Sequence, residues 1–149
     1  VLLRNSSKTW DNNLASKRLK NWLNEFGINT NGFEIYDGSG LSRVNRITSS
    51  GLSKLLYKMK SHKHFKNYIS SMSIIGIRGT LFKYPNSGEL DGNFFGKSGT
   101  LTGIRTLSGY LRSESNFKIV SFFTNNIEYP DEIISSSISL INYHDRCYN

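Results

Sequence analysis

Gly96-Lys97-Ser98-Gly99-Thr100, followed by Leu101-Thr102-Gly103, is the densest run of chemically capable residues in the sequence. A cation, a hydroxyl and a glycine in succession suit two kinds of anion chemistry. One is a phosphate loop, in which lysine and serine close a glycine-bounded loop and open a helix whose N-terminus holds the phosphate. The nearest upstream glycine is Gly92, which leaves Gly92–Ser98 one residue short of that spacing. The residues after Thr100 also read as strand rather than helix. The other is a strand edge that receives an extended peptide through main-chain hydrogen bonds. There Gly99 admits the peptide without a Cβ clash. Lys97 raises the potential where a carboxylate must sit, and the Ser98 hydroxyl can donate to that carboxylate. A main-chain N–H just beyond the glycine can face a developing oxyanion. Taken alone, the tripeptide is a weak signal and reads more readily as a basic turn in a hairpin.

A second string is more specific: Tyr36-Asp37-Gly38-Ser39-Gly40-Leu41-Ser42-Arg43-Val44-Asn45, running on to Thr48 at a predicted helix start. A third is Gly76-Ile77-Arg78-Gly79-Thr80-Leu81, and Leu107-Ser108-Gly109-Tyr110 comes after the Lys-Ser-Gly run. In order and rough spacing, these strings resemble the class C low-molecular-mass penicillin-binding proteins, which are D-Ala-D-Ala carboxypeptidases and endopeptidases. The resemblance covers about residues 10 to 125. It implies the Lys-Thr-Gly role for Lys97, Ser98 and Gly99, with serine keeping the hydroxyl of threonine. Lys97 is then the candidate catalytic residue, and Ser98, Gly99 and Thr100 bind substrate, the Thr100 N–H completing the oxyanion hole. Thr102 is expected on the same strand, facing the cleft. Leu41 and Arg43 match a loop bordering the substrate site, where Arg43 could pair with a carboxylate of the peptide stem. Asp37 reads as a turn former.

The family's nucleophile lies in a Ser-x-x-Lys helix. The only such string here is Ser115-Asn116-Phe117-Lys118, in a predicted hairpin turn where the two side chains share no helical face. Ser6-Ser7-Lys8 stands where a degraded Ser-x-Asn motif could be. The resemblance therefore implies the C-terminal part of a transpeptidase-like domain, whose missing N-terminal part supplies the nucleophile and the first two strands of a five-stranded antiparallel sheet. This chain would supply the last three strands, leave an open sheet edge, bind substrate weakly and not acylate alone. Peptidoglycan stem peptides and β-lactams are the implied ligands, the cell envelope or periplasm the implied location, and no metal or organic cofactor is expected.

Composition sets the frame for these motifs. At 149 residues, 37% hydrophobic and 13% aromatic, the chain can build one packed domain or a large piece of one. No apolar run approaches the roughly 20 residues that span a bilayer. The single cysteine, Cys147, builds neither a disulfide nor a thiolate metal site. The formal net charge of +8 is concentrated in Lys54–Lys66 and reads as a solvated helix face. A basic nucleic-acid module and a nucleotide site at Gly92–Ser98 remain the rival readings, though no nucleic-acid-binding signature accompanies the charge. His62 and His64 alternate on a predicted helix rather than sharing a metal-binding face.

Leu14, Leu19, Trp22, Leu23 and Phe26 predict a helix over 13–26, with Gly27 as its left-handed cap. Phe33–Tyr36 reads as a short strand. Leu52, Leu55, Leu56 and Met59 predict a second helix capped near Thr48–Ser50, and 62–72 continues helical. Residues 94–100, 104–112 and 117–124 are rich in β-branched and aromatic residues and read as strands, the last two as a hairpin. Residues 127–143 close as a helix. Helices, then a strand meander, then a helix give an α+β fold: an antiparallel sheet flanked by helices.

Overall fold

The computed structural model describes residues 11–84, 87–114, 116–128 and 131–147. The Ser6-Ser7-Lys8 string, Ser115 and the side chain of Cys147 lie outside the described residues. The chain divides into two compact units, 1–58 and 59–149. Its helices are α1 (Asn12–Glu25), α2 (Ser49–Lys60), α3 (Phe65–Ser70) and α4 (Asp131–Cys147). Its strands are β1 (Ser73–Ile74), β2 (Phe94–Leu101), β3 (Ile104–Ser113) and β4 (Asn116–Asn125). No helix among the described residues is long and apolar enough to cross a membrane.

The second unit is built on an antiparallel sheet in the order β1-β2-β3-β4. Alternation along the strands sorts side chains to two faces. One face carries Phe94, Leu107 and Leu111, which join Ile75, Leu81, Leu90 and the α4 residues Ile134 and Ile138 in a buried core. The α4 contacts recur at helical spacing, with Ile141 packed at the margin. On the other face Tyr110 meets Phe65 and Tyr68 of α3, Phe117 meets Phe65, and Phe95 and Tyr110 meet Phe117, all edge to face with ring centroids 5.3–6.4 Å apart. The α4 helix begins later than the sequence pattern implies, at Asp131 rather than near Ile127.

Gly96 and Gly109 oppose each other across β2 and β3. A Cβ on Gly109 would lie 2.1 Å from the Phe95 carbonyl oxygen and 2.6 Å from the Gly96 Cα. One on Gly96 would lie 2.5 Å from the Ser108 carbonyl oxygen. The Leu-Ser-Gly-Tyr glycine is thus required by backbone packing at the root of the Lys-Ser-Gly strand.

In the first unit, Asp11 caps α1 by accepting from the N–H groups of Asn13 and Leu14 at 2.9 and 3.2 Å. At the other end Gly27 takes φ +78°, its N–H donates to the Asn24 carbonyl and the Ile28 N–H to the Leu23 carbonyl. This is the paired-bond helix stop that the glycine predicts. Leu23, Ile28 and Phe33 form a small core with Leu19, Phe26, Ile35 and Leu55. Trp22, expected on the buried face, is instead 41% exposed and stacks on Phe26. Thr48 caps α2 through the Gly51 N–H at 3.0 Å. The strand expected at Phe33–Tyr36 reduces to one bridge, Glu34 to Arg46, because the loop between them leaves no second strand to pair with.

That loop is closed by Asp37 and Asn45. The Asp37 carboxylate accepts from the N–H groups of Gly40 and Ser42, both at 2.9 Å, and from the Asn45 amide at 2.8 Å. Asn45 in turn accepts from the Tyr36 N–H at 2.7 Å. Asp37 is the turn former that the sequence suggests.

Two outcomes check this architecture. Gly109→Ala lowers the stability of the chain by roughly 1–3 kcal/mol, as overpacking does, read from urea unfolding; an unchanged midpoint contradicts the close approach. The Asn45 amide, opposed by desolvation and helped by Gly40, Ser42 and Ser39, holds the Asp37 carboxyl below its ordinary value of 3.8. A depressed value favours the charged form in the folded loop. The loop's stabilisation is therefore full above the ordinary carboxylate range and is lost as pH falls through the depressed value. A carboxyl-carbon titration by NMR should place the Asp37 midpoint below 3.8; a midpoint at or above it refutes the closed loop.

Candidate functional site

The Lys-Ser-Gly run lies in the middle of β2, not at the mouth of a helix. After Leu101 the chain turns at Thr102-Gly103 and re-enters the sheet as β3. A phosphate loop needs a helix N-terminus at that point, and none is present. The strand reading holds, with one correction. Thr102 is not on the strand facing the cleft: it occupies the turn, because Gly103 adopts φ +73° and closes a two-residue hairpin between Leu101 and Ile104. Arg105 straps that turn, donating to the carbonyls of Leu101 and Ile104 at 2.8 and 2.9 Å.

The distinctive feature of β2 is how little of one edge is covered. β1 pairs only with Phe95 and Gly96, so from Lys97 to Leu101 that edge has no strand partner among the described residues. Peptide groups along an antiparallel strand alternate in direction. The Phe94 carbonyl accepts from the Ile75 N–H on the β1 side, whereas the Asn93 carbonyl accepts from Arg112 at the end of β3. Continuing the alternation, Lys97, Gly99 and Leu101 spend their peptide groups on β3. Ser98 and Thr100 direct their N–H and C=O groups to the open edge. Two N–H donors and the Thr100 carbonyl, spaced for an extended peptide, have no strand partner there among the described residues, and the Ser98 carbonyl accepts from the Lys97 ammonium.

The side chains frame this edge. Lys97 is exposed on the face opposite the core, and its ammonium folds back onto the Ser98 carbonyl. It therefore places positive charge at the open edge. Ser98 is buried to 9% exposure on the core-facing side, with its hydroxyl 3.3 Å from that of Thr80. Gly99 has a second reason to lack a side chain: a Cβ would lie 2.4 Å from the hydroxyl of Thr106, its cross-strand partner. Thr100 is exposed beside it.

Leu41 and Arg43 belong to the first unit, on the loop that Asp37 closes. Leu41 is 73% exposed there, with Tyr36 and Val44 also exposed. The structure thus brings Lys97, Ser98, Gly99 and Thr100 together on one strand and sets Leu41 and Arg43 together on one loop. Thr80, quoted in the sequence only as part of a motif, is the residue that the site adds.

The Ser115–Lys118 string enters β4 at Asn116, so Lys118 lies on a strand and no helical Ser-x-x-Lys face forms. His62 and His64 lie in the turn before α3, with rings 5.5 Å apart rather than diverging on a helix. Among the described residues no group of three or more metal-ligating side chains forms.

A sequence profile of the D-Ala-D-Ala carboxypeptidase 3 (S13) family matches residues 3–139. A D-alanyl-D-alanine carboxypeptidase from Actinomadura sp. (strain R39) is 31% identical over 121 residues, covering 76% of this chain and 22% of that relative. Penicillin binding protein 4 from Haemophilus influenzae superposes with a TM-score of 0.72 at 23% identity, covering 88% of this chain and 31% of that one. The same protein complexed with a β-lactam gives a TM-score of 0.73 over 89% of this chain. The chain spans 22% of the length of the Actinomadura relative, and with the profile matching residues 3–139 it belongs to the D-Ala-D-Ala carboxypeptidase 3 (S13) family.

Proposed function

We propose that the chain is the substrate-strand part of a serine-type D-Ala-D-Ala carboxypeptidase that acts on peptidoglycan stem peptides in the cell envelope through an acyl-enzyme. The observation that carries this reading is the open edge of β2, where the main-chain groups of Ser98 and Thr100 lie beside a cation and a hydroxyl. A stem peptide ending in D-Ala-D-Ala is extended and terminates in a carboxylate. It would add to β2 as a further strand. The Lys97 ammonium supplies the potential that favours its carboxylate, and the Ser98 hydroxyl donates to it.

Chemistry at the bound peptide then needs a nucleophile and an oxyanion donor. A serine hydroxyl attacks the carbonyl carbon of the penultimate D-Ala and gives its proton to a base. The developing oxyanion faces the Thr100 N–H, a donor fixed in place before the reaction. The C–N bond to the terminal D-Ala then breaks, the leaving amine takes the proton, and water hydrolyses the ester. Within this sequence Ser115–Lys118 cannot act as the nucleophile pair, because Lys118 lies in a strand. The nucleophile is contributed by another segment of the protein, in keeping with the 22% of the Actinomadura relative that this chain spans. For Leu41 and Arg43, on the loop of the first unit, the family resemblance alone supports a role toward the stem peptide. The β-lactam held by the Haemophilus protein supports β-lactams as further ligands of the complete site.

Binding and labelling of the 149-residue chain test this reading. An N-acyl-D-Ala-D-Ala peptide binds reversibly and the L-Ala-L-Ala isomer does not. Lys97→Ala weakens binding by up to about fivefold, the scale of an exposed ion pair. A fluorescent penicillin leaves no band that survives denaturation. Equal affinity for both isomers would remove the substrate assignment, and a covalent penicillin adduct would remove the claim that the nucleophile lies elsewhere.

A further inference from the structure

The Ser98 hydroxyl is the last member of a row that begins at β1. The Thr80 N–H lies 3.2 Å from the Ser73 hydroxyl oxygen, the Ser73 and Thr80 hydroxyls lie 3.4 Å apart, and the Thr80 and Ser98 hydroxyls 3.3 Å apart. A main-chain N–H can only donate, so the Ser73 oxygen accepts at the first contact, and the row runs toward β2 when Ser73 gives its own proton to Thr80. Thr80, having accepted, has its proton free for Ser98. Ser98, having accepted in turn, has its proton free for an acceptor at the open edge. A hydroxyl oxygen accepts twice, so either hydroxyl can donate at the last two contacts; this direction is the one that presents the Ser98 proton at the edge.

The surrounding residues fix Thr80 at this place. Leu81 is fully buried in the core beneath β2 and anchors the short 3-10 turn Gly79–Leu81. Gly79 takes φ +70°, and a Cβ on it would lie 2.3 Å from the Ser73 hydroxyl oxygen. Arg78 donates to the Met72 carbonyl at 3.1 Å and to the Ser70 carbonyl, tying the end of α3 to the segment before the turn. Each residue of Arg78-Gly79-Thr80-Leu81 therefore has a separate task, and that of Thr80 is directed at Ser98. The hydroxyl spacings, 3.4 and 3.3 Å, lie beyond the roughly 2.5–3.0 Å usual for O–H···O bonds. Hydrogen bonds at a catalytic site are often long without ligand and tighten when it binds.

We propose that Thr80 is a positioning residue: it holds the Ser98 hydroxyl in one rotamer with its proton directed at the open edge, so that the edge discriminates in favour of ligands ending in a carboxylate. The inference rests on the proposed function for its ligand but not for its geometry. Two readouts separate them. The first needs no ligand. Three-bond couplings at Ser98 report one χ1 rotamer in the parent chain and in Thr80→Ser, and averaging in Thr80→Val, which keeps the shape and loses the hydroxyl. A single rotamer in Thr80→Val overturns the proposal.

The second readout compares N-acyl-D-Ala-D-Ala with its C-terminal amide. Loss of one hydrogen-bond contribution in Thr80→Val weakens the carboxylate ligand by roughly three- to tenfold. It leaves the amide ligand unchanged, Thr80→Ser restores the preference, and adding Thr80→Val to Ser98→Ala weakens binding no further. Equal weakening of both ligands, or additive losses in the double variant, overturns the proposal. If the parent chain binds neither ligand while the rotamer still averages in Thr80→Val, the substrate assignment fails and the positioning role stands.

Discussion

Everything the site can do depends on the alternating direction of the peptide groups along β2. Every second residue is committed to β3, and that pairing fixes the strand rigidly. The residues between them, Ser98 and Thr100, are left with donors and acceptors aimed at an edge that β1 covers only as far as Gly96. An uncovered strand edge is normally a liability, since it invites pairing with any extended chain. Here the liability is short and flanked by Lys97. Those are the properties that the proposed substrate edge needs in order to be selective.

Several features of the sequence serve that edge without touching it. The opposed glycines Gly96 and Gly109 let the β2 and β3 backbones approach where side chains would collide. The core beneath, from Phe94 to Ile138, buries one face of the sheet against α4, and the aromatic cluster around Tyr110 supports the other. Burial keeps the Tyr110 hydroxyl far above the usual tyrosine range, so it stays protonated and structural at neutral pH. The 3-10 turn at Gly79–Leu81 links core and edge, with one residue in each and a glycine that permits the bend.

The strands of the meander were legible because β-branched and aromatic runs leave little alternative, and the glycine stop of α1 because a left-handed residue admits few others. The strand that carries Lys97–Thr100 was legible from its residue pattern, and its candidate role from the ordered motifs that resemble the family, not from the tripeptide alone. Three things were not. Thr102 reads as a strand residue by pattern, but the conformational freedom of Gly103 ends the strand one residue earlier. Phe33–Tyr36 has strand-like alternation but no strand partner beyond a single bridge, and alternation alone cannot supply one. The two residues of β1 are too few to carry a period, so the partial cover of β2 and the placement of Thr80 were invisible. Thr80 stood within a recognisable motif, and only the fold shows what its hydroxyl faces.

Amide hydrogen exchange along β2 tests the central claim most directly. In the free chain, the N–H groups of Lys97, Gly99 and Leu101 should exchange slowly because β3 holds them. Those of Ser98 and Thr100 should exchange fast and should slow when an N-acyl-D-Ala-D-Ala peptide is added. Uniform protection along the strand, or peptide binding that leaves Ser98 and Thr100 unchanged, would contradict the open edge as the substrate site.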